Sequence, residues 1–79
     1  MRAKKIREYL RAAPFKPFRV FLSDGSSYDV QHPEFAWITT SHLFVGSDAD
    51  ADGVPTQDVT CDLLHVTRIE QAPQNGEPA

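Results

Sequence analysis

One cysteine, one methionine, one tryptophan and four glycines stand in a chain of 79 residues, and each scarcity excludes something. The single thiol, Cys61, has no partner for an internal disulfide and is too few for a cysteine-based zinc site; it fits a reducing cytoplasm. The glycines do not cluster, so no phosphate-cradling loop is present. No apolar run approaches the roughly 18 residues that span a bilayer, and no membrane association is expected. The first five residues, Met1-Arg2-Ala3-Lys4-Lys5, are charged but lead into no apolar stretch, which predicts no secretory leader. Ser-His-Asp order, paired carboxylates at glycosidase spacing and internal repeats are all missing. The expected protein is cytoplasmic, has no cofactor and is not an enzyme.

What is present is ordinary in amount and uneven in place. Hydrophobic residues make up 41 % of the chain, aromatic residues 10 % and charged residues 24 %. A chain this short buries only about 60–65 % of its unfolded surface. Below roughly 70–80 residues, a fold without disulfides or metal is often stabilised by association. The net charge of −3 hides a polarity. Residues 1–20 set seven cations (Arg2, Lys4, Lys5, Arg7, Arg11, Lys16, Arg19) against Glu8 alone, a net +6, whereas residues 21–79 set Arg68 against ten acids, a net −9. A basic element of this kind is the footprint of a nucleic-acid binder or the solvated face of a surface helix. The acidic whole-chain balance favours the second.

Arg2 to Ala13 reads as an amphipathic helix. Ile6, Tyr9, Leu10 and Ala13 recur at helical spacing, the charged residues lie opposite, and Pro14 supplies the stop. Three turns alone are marginal in water, so this helix must pack on something. Pro14-Phe15-Lys16-Pro17-Phe18 is an extended connector in which Phe15 pins helix to sheet. From Phe18 the period becomes two, with Phe18, Val20 and Leu22 on one face and Arg19, Phe21 and Ser23 on the other. Asp24-Gly25 marks a tight turn, after which Tyr28 and Val30 resume the alternation up to His32-Pro33. Phe35–Thr40 and Leu43–Val45 read as strands. Gly46–Asp58 is a loop or an extended hairpin tip. Val59–Asp62 and Val66–Glu70 are short strands joined through a 3₁₀-like turn at Leu63-Leu64-His65. The resulting domain spans residues 1–71, and residues 72–79 form a disordered tail. The fold class is mainly β, α+β: an N-terminal helix followed by a small, strongly bent antiparallel sheet or barrel of five to six strands.

That order is similar to the Sm-like and SH3-like barrel plan. The Leu22-Ser23-Asp24-Gly25 corner and the closing Leu64-His65-Val66-Thr67-Arg68-Ile69 resemble the first turn and last strand of Sm-type RNA-chaperone subunits. Where those subunits grip RNA this chain differs. It has no Asn in the loop after the third strand, and Asp62 stands where a basic residue is needed. The chain also resembles a group of short bacterial proteins that share Pro-Phe-x-Pro-Phe, an Asp-Gly turn, His-Pro-Glu-Phe and a Leu-Leu-x-Val-Thr-x-Ile ending. That group has no established activity, so the resemblance implies no catalytic residue.

Three sets of residues are candidates for function. Seven large rings fall between residues 15 and 44, more than so small a barrel holds inside. The surplus, drawn from Phe15, Phe18, Phe21, Trp37 and Phe44, forms a surface for a protein partner or a second copy of the chain. The alternative is Sm-like RNA binding through Arg2, Lys4, Lys5, Arg7, Arg11, Lys16 and Arg19, with rings stacking on bases. Asp48, Asp50 and Asp52 match the first half of a calcium loop. Its second half departs, with Val59 where a bidentate Glu is wanted and Pro55 at the eighth position. An acidic hairpin tip that resists edge pairing is the reading those residues favour over calcium. His32, His42, His65, Cys61 and Asp62 have no metal-ligand spacing, and Cys61 alternates with Val59 and Leu63 as a core thiol. Glu34, in the His-Pro-Glu-Phe corner, is read as an acceptor of turn amides.

Overall fold

The computed structural model describes residues 1–71; the tail expected at 72–79 lies outside the described residues. One helix, α1 (Ala3–Arg11), precedes six strands: β1 (Phe18–Leu22), β2 (Ser27–Val30), β3 (Ala36–Ile38), β4 (His42–Ala49), β5 (Pro55–Asp62) and β6 (Val66–Gln71). The fold is α+β. All strand pairs are antiparallel, and they form two three-stranded sheets, ordered β2-β1-β6 and β3-β4-β5.

The helix is shorter than its periodicity predicts, beginning one residue later and ending two earlier. Ala12 has already left the helical region at φ −59°, ψ 139°, in keeping with the tendency of helices to end at or before the residue preceding a proline, here Ala13. Ile6 is its one fully buried residue, with Tyr9 and Leu10 half-buried beside it.

In the first sheet, β1 is the central strand, and its inward row is Phe18 and Val20, both fully buried. The turn between β1 and β2 is closed by Asp24, whose Oδ1 accepts from the Ser26 amide at 2.9 Å and the Ser26 hydroxyl at 2.6 Å. Gly25 follows at φ +91°, a conformation that costs a glycine least. Those two bonds hold the Asp24 carboxyl below its ordinary value of 3.8, the Ser26 hydroxyl contributing most. A carboxylate with a depressed folded pKa adds stability above its unfolded pKa, and this is lost as pH falls through the folded value. The difference in Tm between the wild type and Asp24→Asn is therefore full at pH 6 and closes below pH 3.8. A thermal-unfolding series down to pH 2 checks this; a difference that persists unchanged there refutes the role given to Asp24.

In the second sheet, β3 pairs with β4 from Ala36↔Val45 to Ile38↔Leu43, while β4 and β5 stay paired out to Ala49↔Pro55. Of the two readings of Gly46–Asp58, a loop or an extended hairpin tip, the second describes the structure, and β4 and β5 form an arm that outruns β3. Gly46 permits the two strands of the arm to approach: a Cβ built there meets Pro55 Cβ and Cγ at 2.9 Å. The stretch expected as strand from Phe35 to Thr40 is shorter at both ends. Pro33–Phe35 is a 3₁₀ turn, started by a proline whose fixed φ suits its first position. The other 3₁₀ turn, Leu63–His65, falls where it was expected; Asp62 caps it, accepting from the Leu64 amide at 2.9 Å.

Both sheets and the helix feed one core: Ile6, Phe18, Val20, Val30, Leu43, Val45, Cys61, Leu63 and Val66. Burial pushes the Cys61 thiol up, the Asp24 charge adding to it, which keeps it a neutral core side chain. No helix among the described residues is long and apolar enough to cross a membrane.

Candidate interaction surface

The five expected surface aromatics separate. Phe18 is a correction. Its place in the central strand and its parity with Val20 turn it inward, where Tyr9 (ring centroids 5.3 Å apart) and Phe15 (6.0 Å) pack against it. Phe15 is half-buried at this joint between helix and sheet. Phe21 lies on the opposite face of β1, half-buried, with the Arg68 guanidinium from the neighbouring strand 3.8 Å from its ring centre. Away from the core, Trp37 and Phe44 come together. They are directly opposed in the β3–β4 ladder, with centroids 6.2 Å apart, and His42 continues the row at 6.4 Å from Phe44.

Trp37 is the outlier in exposure. Alternation in β3 turns Ala36 and Ile38 toward the core and Trp37 away from it, leaving the indole 71 % exposed. It lines an open cleft of about 750 Å³ between α1 and β3. The opposite wall carries Lys4, Arg7 and Arg11, which recur at the three- and four-residue spacing that places them on one helix face. Neither ion pair among the described residues involves these three. A second cleft of about 650 Å³ adjoins the first, since Ala3 and Thr40 line both, and it reaches Leu64, 86 % exposed.

The other basic residues are dispersed. Lys5 lies over the Tyr9 ring at 5.7 Å, Arg2 lines the second cleft and Lys16 is exposed on the connector. Arg19 is tied to Asp29 across the first sheet; that hydrogen bond, then the carboxylate charge, raises its pKa further and makes it the least free of the seven.

The acidic tip does not gather its carboxylates. Asp50 Oδ1 accepts from the amides of Asp52 (2.9 Å) and Val54 (3.0 Å), while Asp48 takes a left-handed φ of +56° and its carbonyl accepts from the Thr56 hydroxyl at 2.6 Å. Among the described residues no three His, Cys, Asp or Glu side chains converge as metal ligands. Two serine–histidine contacts exist, Ser23 Oγ to His65 Nδ1 at 3.1 Å and Ser41 Oγ to His42 Nδ1 at 2.7 Å. Both are exposed, and neither histidine is oriented by a carboxylate hydrogen bond among the described residues, so neither is an activated nucleophile. His32 makes no capping bond and meets the Phe35 ring edge-on at 5.1 Å. Glu34 is exposed.

No family model, no curated protein and no solved structure matches this chain. The functional reading therefore rests on geometry. Two exposed apolar residues escaped the sequence, Leu64 and Val54, the latter 56 % exposed at the tip of the arm. The Leu63-Leu64 doublet in a three-residue turn carries the signal for the first, because only one of two neighbours there can reach the core. Val54 has a weaker signal, a lone branched apolar residue between Gly53 and Pro55.

Proposed function

We propose that the protein is a small non-enzymatic interaction module that docks on a protein partner, a second copy included, through the cleft between α1 and β3. The observation that carries this is the Trp37 indole, 71 % exposed in that cleft and faced by three cations outside any ion pair among the described residues. Exposed aromatics rimmed by charge are the usual anchor of a protein interface. The cleft's volume falls within the range of binding sites, about 300–1,000 Å³. The order of the elements supports an Sm-like or SH3-like barrel as the finer description of the fold. The lone buried Cys61 supports the cytoplasm as its compartment.

A second reading draws on the same residues. Trp37 beside Lys4, Arg7 and Arg11 is also a base-stacking platform next to phosphate-binding cations, the arrangement a single-stranded nucleic acid uses. The net charge of −3 weighs against it. Trp37 is the only tryptophan, so its emission reports on the cleft directly. Docking predicts a blue shift as the protein is concentrated or meets a copurifying protein, and loss of the association in Trp37→Ala. A monomer at every concentration that copurifies with no protein refutes the docking reading. Quenching by single-stranded RNA at low salt, reversed at high salt through counterion release, favours the second.

A further inference from the structure

We infer that the occupant of the α1–β3 cleft is the acidic β4–β5 arm of a second copy of this chain. This deepens the docking reading and rests on it. The arm outruns β3. Beyond Val45, the last β4 residue paired with β3, Gly46, Ser47 and Ala49 pair only with β5, and Asp48 is skipped in the ladder. The arm is bent: Asp48 takes a left-handed φ of +56°, and Pro55 lies back against Gly46, its Cβ 2.9 Å from where a Cβ of that glycine would be. Buried residues alternate along β4 as far as Val45; Gly46 is half-buried, and Ser47 to Ala49 are exposed among the described residues.

The tip and the cleft are complementary in both charge and apolar surface. At the tip, the exposed Val54 shares the turn with Asp48, Asp50 and Asp52, while Asp58, opposite Gly46, adds a fourth carboxylate at the base of the arm. In the cleft, the exposed Trp37 faces Lys4, Arg7 and Arg11. Neither charged set takes part in an ion pair among the described residues. Among the described residues no ion pair joins the two sets within one chain, which leaves both open to a second copy. Burying Val54 against Trp37 supplies an apolar centre, and the carboxylate–cation contacts supply the rim that fixes register. Every copy carries both arm and cleft, so association yields a reciprocal dimer or a closed ring. Three of the four arm carboxylates keep their side chains out of the tip's own hydrogen bonds; Asp50 is the one committed to the turn.

A charge swap tests this on the full chain. One variant reverses the cleft, Lys4→Glu with Arg7→Glu; the other reverses the arm, Asp48→Lys with Asp52→Lys and Asp58→Lys. None of these five side chains makes a hydrogen bond among the described residues, and matched far-ultraviolet dichroism and Tm verify that both variants fold. The wild type is expected to associate in sedimentation equilibrium and to weaken as salt rises. Each variant alone pairs like with like and loses at least about tenfold in affinity. Mixed one to one they associate again, because each cleft now meets an arm of opposite sign, and Trp37 emission shifts to the blue.

A wild type that stays monomeric to millimolar concentration overturns the inference, as does a mixture that fails to associate. If reversing the cleft abolishes association while reversing the arm leaves it intact, the arm is not the occupant although the docking reading survives. If neither reversal nor Trp37→Ala alters association, the docking reading fails as well. Retardation of single-stranded RNA by a wild type that does not self-associate also overturns it.

Discussion

Phe18→Ala is expected to lower stability by about 3–5 kcal/mol, the range for removing a buried aromatic ring. The ring lies in the central strand of the first sheet, fully buried, with Val30 and Gln71 as its cross-strand neighbours and the Tyr9 and Phe15 rings closing over it from the helix side. Neighbours on three different elements cannot all collapse into the space it leaves, so both the transfer of the ring and the residual cavity contribute. A chain of 79 residues has a total stability of roughly 4–12 kcal/mol. The variant therefore keeps only part of it, and at about 4–8 °C per kcal/mol its Tm falls by at least about 12 °C. Thermal unfolding followed by near-ultraviolet dichroism reads this directly.

Phe21→Ala is the control. Three positions along the same strand the parity is reversed, and the Phe21 ring is half-exposed beneath the Arg68 guanidinium. Its truncation is expected to cost less than about 1.5 kcal/mol, because only part of its surface leaves water on folding. A Phe18→Ala protein that melts with the wild type but no longer associates returns that ring to the docking surface and refutes its place in the core.

The contrast between these two phenylalanines shows what the sequence makes legible and what it hides. Alternation from Phe18 to Leu22 places Phe18 and Phe21 on opposite faces without reference to anything else. Which face is inside depends on what lies above it, and that is decided by Tyr9 and Phe15, residues outside the strand. The turns at Asp24-Gly25 and Leu63–His65 were legible because their determinants are local: an Asx bond to Ser26 and an Asp62 cap. The division into two sheets was not legible, since β1 finds β6 across more than forty residues of chain and no local pattern specifies so distant a pairing. The arm was legible only as one of two alternatives, a loop or an extended hairpin tip. Strand is recognised by one face being apolar, and past Val45 both faces of β4 are solvent-facing, so polar and acidic residues resemble a loop even where the ladder continues to Ala49↔Pro55.

The candidate site was half legible. Helical spacing put Lys4, Arg7 and Arg11 on the outward face, and strand parity set Trp37 against Ile38. Nothing in either element says that the two face each other across a cleft. That juxtaposition comes from Ile6, the residue that fixes how α1 lies on the sheets.

Ile6→Ala is accordingly the second large effect, expected to cost about 2–5 kcal/mol, offset by a few tenths for the better helix propensity of alanine. Its consequence differs in kind from that of Phe18→Ala. A helix of nine residues is not stable by itself in water, and Ile6 is its only fully buried side chain. Loosening this contact lowers the free energy at which α1 opens by itself while β1 to β6 keep their ladders. Amide exchange should show the protection from Ile6 to Arg11 falling well before that of β1 and β4. One wall of the cleft leaves with the helix. Association through Trp37 should therefore weaken at temperatures where sheet dichroism is still that of the wild type, whereas Lys5→Ala on the exposed face of the same helix leaves both unchanged. Helix amides in Ile6→Ala that stay as protected as those of the sheets show instead that α1 and the strands unfold only as one unit. The cleft is then no more labile than the core beneath it.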